Sequence, residues 1–289
     1  MNQISIGIIS YNEEKNIITL LNSIKCQYLG KFFIKEIIIS DDSNDNTPFL
    51  IEKFIKKNPQ LSIRLFHYNE RRGAYAGWNE IFKEATGDYL VLYDADVILA
   101  EKTTYSLVNA FSRDIVGLCA SNPQPLAYSS IYGRATKFIT NWLQNIRKNG
   151  LTQFTVMGRG LAIKADLAKK ITIPENIIAI DYFLQIKVLE LDKQIVYVKN
   201  AIIYFKTPEN LDDFLSQVLR ANFGHKQLSF YKTKKLPIIS NIKITLKSIF
   251  SDPFGGIATL YCYCFIPYYK LRNKNKISSQ WEIAQSTKF

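Results

Sequence analysis

Cysteine, histidine and methionine are scarce in this chain, which has 4 Cys, 2 His and 2 Met among 289 residues. The cysteines show neither zinc-site spacing nor a disulfide framework, so we expect a reducing, cytosolic setting. The first residues lack a basic stretch followed by an apolar one, so no signal peptide is expected. Repeats and low-complexity tracts are also missing. A hydrophobic content of 47% with 21% charged residues excludes a disordered chain and allows one large domain or two small ones.

Acidic residues are fewer than basic ones. The chain has 25 Asp and Glu and 37 Lys and Arg, which gives a net charge of +12. Two thirds of that excess lies between residues 206 and 276, which contain twelve basic and four acidic residues. Such a charge suits a phosphorylated ligand, an anionic membrane or nucleic acid. We expect no nucleic acid partner, because the basic residues are not interleaved with a recognisable recognition module.

Strand and helix patterns alternate through the first hundred residues. Short apolar runs predict buried strands at 4–9, 37–39, 61–65 and 89–93, and helical spacing predicts helices at 14–24, 47–57 and 74–85. This alternation predicts an α/β fold whose central parallel sheet is flanked by helices. In such a sheet, a ligand binds at the carboxyl ends of the strands.

The remainder of the chain is less regular. We predict helices at 135–146, from Asp181 onward and at 211–230, and strands at 154–157, 161–164, 195–198 and 201–205. The segment 120–133 is expected to be a loop.

The last sixty residues combine apolar and basic character. Residues 237–250 are amphipathic, and 253–269 carry no charge before a basic cluster begins. Seventeen uncharged residues are at the lower limit for a membrane span, and the pair Gly255-Gly256 and Pro267 weaken that reading. The pattern fits an element at a membrane surface, and the alternatives are a buried closing helix or a contact between copies of the chain.

Asp94 and Asp96 follow the fourth predicted strand. Positions i and i+2 at a strand end point the same way, so the two carboxylates converge. Converging anions repel unless a proton or a cation lies between them, and a hard divalent cation shared with phosphate oxygens is a natural occupant. The alternative is a solvated surface pair.

The other strand ends are polar too. The first strand leads into residues 10–14, the second into 41–47 and the third into 69–73. Arg71 or Arg72 suits a diphosphate. Each of these segments could instead be a turn or a helix cap, as Asp45 and Thr47 could be for the following helix.

Taken together and in this order, these residues resemble the family 2 glycosyltransferases with the glycosyltransferase A fold. The motifs that carry the resemblance are Tyr11-Asn12-Glu13, Asp41-Asp42-Ser43-Asn44-Asp45, Asn69 to Gly73 with Asn79, Gly87-Asp88-Tyr89, Asp94-Ala95-Asp96, Asp181-Tyr182-Phe183-Leu184 and Gln217-Val218-Leu219-Arg220. The resemblance covers residues 4–225. It implies a Rossmann-like, mostly parallel sheet in a catalytic domain at 1–230, with a nucleotide-binding half at 1–100 and an acceptor half at 101–230. Residues 231–289 would form a helical, amphipathic extension. Contact of this extension with a membrane is one of the readings given above.

The resemblance also implies roles for individual residues. The donor nucleoside would be contacted by Tyr11, Glu13 and Asp42. Asp94 would reach the ribose or the donor sugar, and Asp96 would bind a Mn²⁺ or Mg²⁺ that bridges the diphosphate. Asp181 would be the general base, with a helix N-cap as its alternative role. The remaining implied contacts are Arg72 and Arg220 to the donor phosphates, and Gly158, Arg159 and Gly160 to the acceptor.

The chain departs from the family pattern at three positions. Ser43 replaces a glycine, Ile180 replaces the glutamate before the base, and Ala221 replaces a tryptophan of the acceptor region. The last change argues against synthesis of a long polymer.

We therefore expect a metal-dependent, inverting glycosyltransferase that acts on a lipid-linked or membrane-borne acceptor. It would be cytoplasmic and peripheral at the inner face of the cell membrane. The alternatives are a soluble transferase acting on a glycan or small acceptor and a non-catalytic nucleotide-sugar binder. Nucleotidylyl transfer is a further class, but it relies on a glycine-rich loop after the first strand, where this chain has Tyr11-Asn12-Glu13.

Overall fold

A computed structural model describes residues 2–155, 158–231, 236–272 and 285–288. The strands are β1 Asn2–Ser10, β2 Phe32–Asp41, β3 Ile63–His67, β4 Tyr89–Asp94, β5 Val97–Leu99, β6 Val116–Pro125, β7 Gly160–Lys164 and β8 Gln194–Phe205. The helices are α1 Ile17–Lys25, α2 Thr47–Lys57, α3 Ala74–Glu84, α4 Thr103–Asn109, α5 Ile131–Lys148, α6 Ala165–Ala168, α7 Ile180–Glu190, α8 Leu211–Gln227, α9 Ile238–Ser251, α10 Pro253–Cys264 and α11 Ile266–Arg272. Two short 3₁₀ turns cover Thr152–Phe154 and Gln285–Thr287.

The eight strands form one sheet in the order β3-β2-β1-β4-β7-β6-β8-β5. The strands β3, β2, β1 and β4 are parallel, so their carboxyl ends share one edge. Strand β7 is antiparallel to β4, and its first residue, Gly160, pairs with Tyr93. The residues just before β7 therefore lie at the same edge as the residues just after β4.

Helices cover both faces of the sheet, which explains the continuous apolar runs of the central strands. One face of the sheet packs against α1, α2 and α4, and the other packs against α3 and α7. Gly87 permits the close approach of β1 to the turn before β4. A Cβ at this position would lie 2.7 Å from the backbone nitrogen of Ser5 and 2.9 Å from the carbonyl oxygen of Gln3.

The predicted strands and helices of the first hundred residues are confirmed, with shifts of a few residues at their ends. Three predictions in the middle of the chain are wrong. The segment 120–133 is not a single loop, since β6 runs to Pro125 and α5 begins at Ile131. Phe154 belongs to a 3₁₀ turn rather than to a strand at 154–157, and residues 156–157 lie outside the described part. The two strands predicted at 195–198 and 201–205 are one strand, β8, with an irregularity in its pairing.

The helices after residue 236 pack against α5. Trp142 Nε1 donates to Thr245 Oγ1 at 3.0 Å, and Asn145 Nδ2 donates to Ser248 Oγ at 3.1 Å, joining α5 to α9. Among the described helices, none alone is long and apolar enough to cross a membrane. The stretch from Ile238 to Arg272 reaches that length and hydropathy only as a pair of helical segments bent by 113°.

Candidate active site

A cavity of about 670 Å³ opens at the carboxyl edge of β1, β2 and β4. Ten of the eleven residues predicted for the site line it, and they are Tyr11, Glu13, Asp42, Arg72, Asp94, Asp96, Gly158, Arg159, Asp181 and Arg220. The fold therefore brings together strand ends that are more than 80 residues apart in the chain.

Gly160 is the exception. It lies buried in β7, and a Cβ there would come within 2.1 Å of Ile203 Cδ1. Its missing side chain makes room for a core residue, so the predicted contact of Gly160 with an acceptor is replaced by a packing role.

Asp94 and Asp96, the aspartate pair, line the cavity at the end of β4. Asp94 ends β4, and Arg159 Nη1 lies 3.5 Å from Asp96 Oδ2, with the Arg159 guanidinium 4.0 Å from the centroid of the Phe205 ring. Burial, followed by the charge of Asp96, raises the pKa of Asp94. The pair therefore favours a nearby positive charge over two free carboxylates.

The carboxylates of Asp94 and Asp96 are ligands suited to a divalent metal ion of the Mg²⁺ or Mn²⁺ type. Such ions are bound through one or two carboxylates, with substrate phosphates supplying further oxygen ligands. No group of three or more His, Cys, Asp or Glu side chains suited to a metal occurs within the described ranges. A site made of Asp94 and Asp96 alone would thus depend on the substrate to complete it.

Asp42 is held by a network that also fixes Arg72. Its carboxylate accepts from the backbone N–H groups of Arg72 and Gly73, at 2.8 and 3.2 Å, and from Arg72 Nε at 2.9 Å. Arg72 Nη2 donates to Ser40 Oγ at 2.8 Å and lies 3.3 Å from Glu80 Oε2. The guanidinium is thus paired with Asp42, Ser40 and Glu80 while it lines the cavity, and its contact to the donor phosphates stays a prediction.

Glu13 is a largely buried acid in the loop after β1. Its Oε2 accepts from Asn16 Nδ2 at 2.5 Å and lies 3.9 Å from Lys288 Nζ. Burial and the charge of Asp96 raise the pKa of Glu13 from its ordinary 4.5 to about 7, against the lowering effect of Lys288. Glu13 therefore exchanges a proton near neutral pH.

Asp181 is the second residue of α7, whose cap position is Ala179. Its Oδ1 accepts from the backbone N–H of Tyr182 at 2.9 Å. A Cβ on Gly158 would lie 3.2 Å from Asp181 Cβ, so the glycine allows the chain before β7 to approach this carboxylate. Burial raises the pKa of Asp181, and the nearby charges of His225 and Arg220 oppose the rise.

Asp45 has a structural role in the turn before α2, one residue ahead of the N-cap residue Asn46. Its Oδ1 accepts from the backbone N–H and the hydroxyl of Thr47, at 2.9 and 2.5 Å, at the start of α2. His67 also has a structural role, since its Nδ1 lies 2.8 Å from Asp41 Oδ2.

Of two further cationic residues that line the cavity, the sequence named Arg71 only as an alternative to Arg72 and did not single out Lys288. Arg71 lies with its guanidinium 4.1 Å from the centroid of the Tyr11 ring, and Lys288 reaches the cavity from the far end of the described chain. The adjacent Arg71 and Arg72 indicate in the sequence that an arginine contacts a diphosphate, but the sequence does not distinguish between the two. No motif surrounds Lys288.

Comparisons with known proteins agree with this geometry. The model of the family described as Glycosyl transferase family 2 matches residues 5–171, more than half of the chain. A poly-β-1,6-N-acetyl-D-glucosamine synthase of Staphylococcus aureus (strain COL) is 29% identical over 246 residues. That match covers 79% of this chain and 57% of the synthase. The chain thus matches less than two thirds of the length of these curated relatives.

Solved structures share the fold. A mannosyltransferase from Pyrobaculum calidifontis, in complex with GDP-Man and Mn²⁺, superposes with a TM-score of 0.64 at 18% identity, covering 94% of this chain and 81% of the other. Residues 1–349 of S. aureus TarS, in complex with UDP-GlcNAc, superpose with a TM-score of 0.55 at 18% identity, covering 86% and 73%. At these identities the likeness extends to the fold alone.

Proposed function

Because the chain belongs to glycosyl transferase family 2 and has the glycosyltransferase A fold, we propose that it moves a sugar from a nucleoside-diphosphate donor to an acceptor hydroxyl with inversion at the anomeric carbon. The observation that carries this proposal is the convergence of Asp42, Asp94, Asp96 and Asp181 on one cavity at the carboxyl edge of the sheet. An acceptor phosphate in place of the hydroxyl is compatible with the same arrangement.

The residues suggest how the transfer proceeds. Asp181 accepts the proton of the acceptor hydroxyl while that oxygen bonds to the anomeric carbon. The bond from this carbon to the diphosphate oxygen breaks at the same time, and the nucleoside diphosphate leaves with its bonding electrons. Arg220 lines the cavity within electrostatic range of Asp94 and Asp181, where it can offset the charge that develops on the leaving group.

Asp96 and Asp94 would hold the divalent cation. A bound cation would neutralise negative charge on the diphosphate. Support comes from the mannosyltransferase of similar fold, which is described in complex with Mn²⁺.

UDP-GlcNAc is the first donor to test. TarS is described in complex with this nucleotide sugar, and the curated relatives are described as synthases of an N-acetylglucosamine polymer. GDP-mannose is the second donor, because the mannosyltransferase of similar fold is described with it.

A thermal-shift panel of UDP, GDP, CDP and dTDP, with and without Mn²⁺, tests the proposal. One nucleotide should stabilise the wild type in the presence of Mn²⁺, by about 2.7 kcal/mol at 100 times its Kd. Asp96→Asn should abolish the metal-dependent part of the shift, and the exposed Asp166→Asn should keep it. Folded wild type that responds to none of the four nucleotides would overturn the proposal.

The helices after residue 236 support a membrane-borne or lipid-linked acceptor. Helix α9 leaves large apolar side chains in solvent, including Ile238 at 77% and Phe250 at 83% exposure, and Phe254 of α10 is 70% exposed. Lys243 and Lys247 lie on the same exposed helix. An apolar surface bordered by lysines has the chemistry of peripheral attachment to an anionic membrane. This would place the enzyme at the inner face of the cell membrane, and the alternative is a soluble enzyme acting on a glycan.

Vesicle flotation tests the attachment. The wild type should bind vesicles containing phosphatidylglycerol and bind pure phosphatidylcholine vesicles much more weakly. Replacing Lys243 and Lys247 with glutamine should weaken the binding free energy by about 1 kcal/mol per lysine. The affinity for anionic vesicles should therefore fall roughly 30-fold. The matched control replaces Lys56 and Lys57, which are exposed on α2, and should bind as the wild type does. Equal binding by both double variants would contradict the role of the two lysines, and a wild type that binds neither kind of vesicle would argue for the soluble alternative.

A further inference from the structure

The described residues 285–288, here called the 285–288 segment, lie against the cavity that holds the aspartates. Thr287 and Lys288 line this cavity and are almost fully buried, with 5% and 9% of their surfaces exposed. Lysine is rarely buried to this extent unless its charge is paired. The burial of Lys288 therefore points to a defined role for its charge.

The 285–288 segment is attached outside the cavity, near the start of α8. Ser286 donates its backbone N–H and its hydroxyl to Asp213 Oδ2, at 2.8 and 2.5 Å, and its Oγ accepts from the backbone N–H of Glu209 at 3.0 Å. Lys206 Nζ donates to the carbonyl oxygen of Lys288 at 2.9 Å. The backbone is thus fixed by residues outside the aspartate cluster, and the Lys288 side chain extends from it into the cavity.

The ammonium group of Lys288 lies at the carboxyl end of β1. It donates to the carbonyl oxygen of Asn12 and lies 3.9 Å from Glu13 Oε2. Asp94 and Asp96, the proposed cation-binding pair, line the same cavity as Lys288. An ammonium group has three N–H donors. Its hydrogen bond to Asn12 uses one of them, which leaves capacity to bind an anion.

The charges around the cavity favour such a role. Six carboxylates line it, and they belong to Glu13, Asp42, Asp94, Asp96, Glu175 and Asp181. A diphosphate that enters this cavity brings further negative charge. Arg72 and Arg159 are already engaged with Asp42 and Asp96, whereas the Lys288 ammonium lies 3.9 Å from Glu13 Oε2, too far for a direct hydrogen bond.

We propose that Lys288 binds the diphosphate of the donor and that the 285–288 segment is part of the donor site, an inference that rests on the proposed function. The alternative role would be inhibitory: the lysine side chain would occupy the position of the diphosphate and would have to leave before the donor binds. The anchoring of the segment at Asp213 and Lys206 favours the first role, since neither anchor lines the cavity and their hydrogen bonds do not involve the position of the ligand.

Isothermal titration calorimetry with UDP and with GDP, each with Mn²⁺, tests this inference on the full chain. For the nucleotide that the wild type binds more tightly, Lys288→Ala should weaken affinity by about tenfold or more, as expected for the loss of a hydrogen bond from a charged group. Lys288→Arg should restore most of the affinity. The affinity for the corresponding nucleoside, uridine or guanosine, should be the same in Lys288→Ala and wild type.

The controls separate this inference from the proposed function. Lys226→Ala, an exposed lysine of α8, should bind as the wild type does. Ser286→Ala, which removes a hydroxyl that anchors the segment, should weaken diphosphate binding while Lys288 is intact. Unchanged or tighter diphosphate binding by a folded Lys288→Ala would overturn the inference and leave the proposed function standing. A folded wild type that binds neither nucleotide would overturn both.

Discussion

Replacing Asp181 with asparagine should lower the rate of sugar transfer by about 10²–10⁴-fold, the usual contribution of a general base. Asparagine has nearly the same shape and can still accept from the Tyr182 N–H, but it cannot take the acceptor proton. Nucleotide binding in the presence of Mn²⁺ should persist, so the loss should appear in turnover. A radiolabelled donor, followed to product or to water, measures the effect.

The pH dependence of the wild-type transfer rate provides a second test of Asp181 as the general base. The base acts when ionised, so the rate should rise with pH through the pKa of Asp181, which burial raises. Asp181→Asn should lose this dependence. Asp212→Asn is the matched control, because Asp212 is also the second residue of its helix but is exposed. A folded Asp181→Asn that keeps more than a tenth of the wild-type rate would show that another group is the base.

Replacing Glu13 with glutamine should stabilise the protein at pH 8 and change little at pH 5. The folded-state pKa of about 7 lies above the ordinary 4.5. The folded protein therefore binds this proton more tightly than the unfolded chain does, and the free energy of unfolding falls as pH rises from about 4.5 to 7. The loss is on the order of 3 kcal/mol. Glutamine cannot ionise and escapes this loss.

Thermal unfolding at the two pH values measures the effect. The midpoint of Glu13→Gln should exceed that of the wild type by about 4–8 °C at pH 8. Glu52→Gln, at an exposed position of α2, should follow the wild type at both pH values. A difference of equal size at pH 5 and pH 8 would mean that packing rather than ionisation causes the stabilisation.

The central strands of the first hundred residues could be predicted because they are buried on both faces, whereas the three-residue strand β5 was missed. Strands such as β1 and β4 therefore appear in the sequence as short apolar runs. Strand β6 was missed because its second half contains Pro123 and Pro125, which ordinarily indicate a loop. The structure shows why these prolines are tolerated. Among the described residues, β6 pairs with β7 only from Leu118 to Ala120, whereas Pro123 and Pro125 lie in the half that pairs with β8.

The site was predicted better by its carboxylates than by its cations. A carboxylate directly after a buried strand has its position set by the end of that strand, as for Asp42 and Asp94. The position of an arginine or lysine head group depends on a long side chain and on distant partners. Arg72 pairs with Asp42 and Glu80. Lys288 reaches the cavity from a segment that is held by residues more than 70 positions away in the chain, namely Lys206, Glu209 and Asp213.

The antiparallel pairing of β4 with β7 joins the residues proposed for the donor side and those proposed for the acceptor side through one continuous sheet. The pairing of Tyr93 with Gly160 fixes the spacing between the aspartate pair and Arg159 through backbone hydrogen bonds. A hinge between the two sides would have to break this ladder in the middle of the sheet. In the proposed reaction we therefore expect substrates to enter and products to leave past the loops and the 285–288 segment, while the strand pairing of the sheet stays intact.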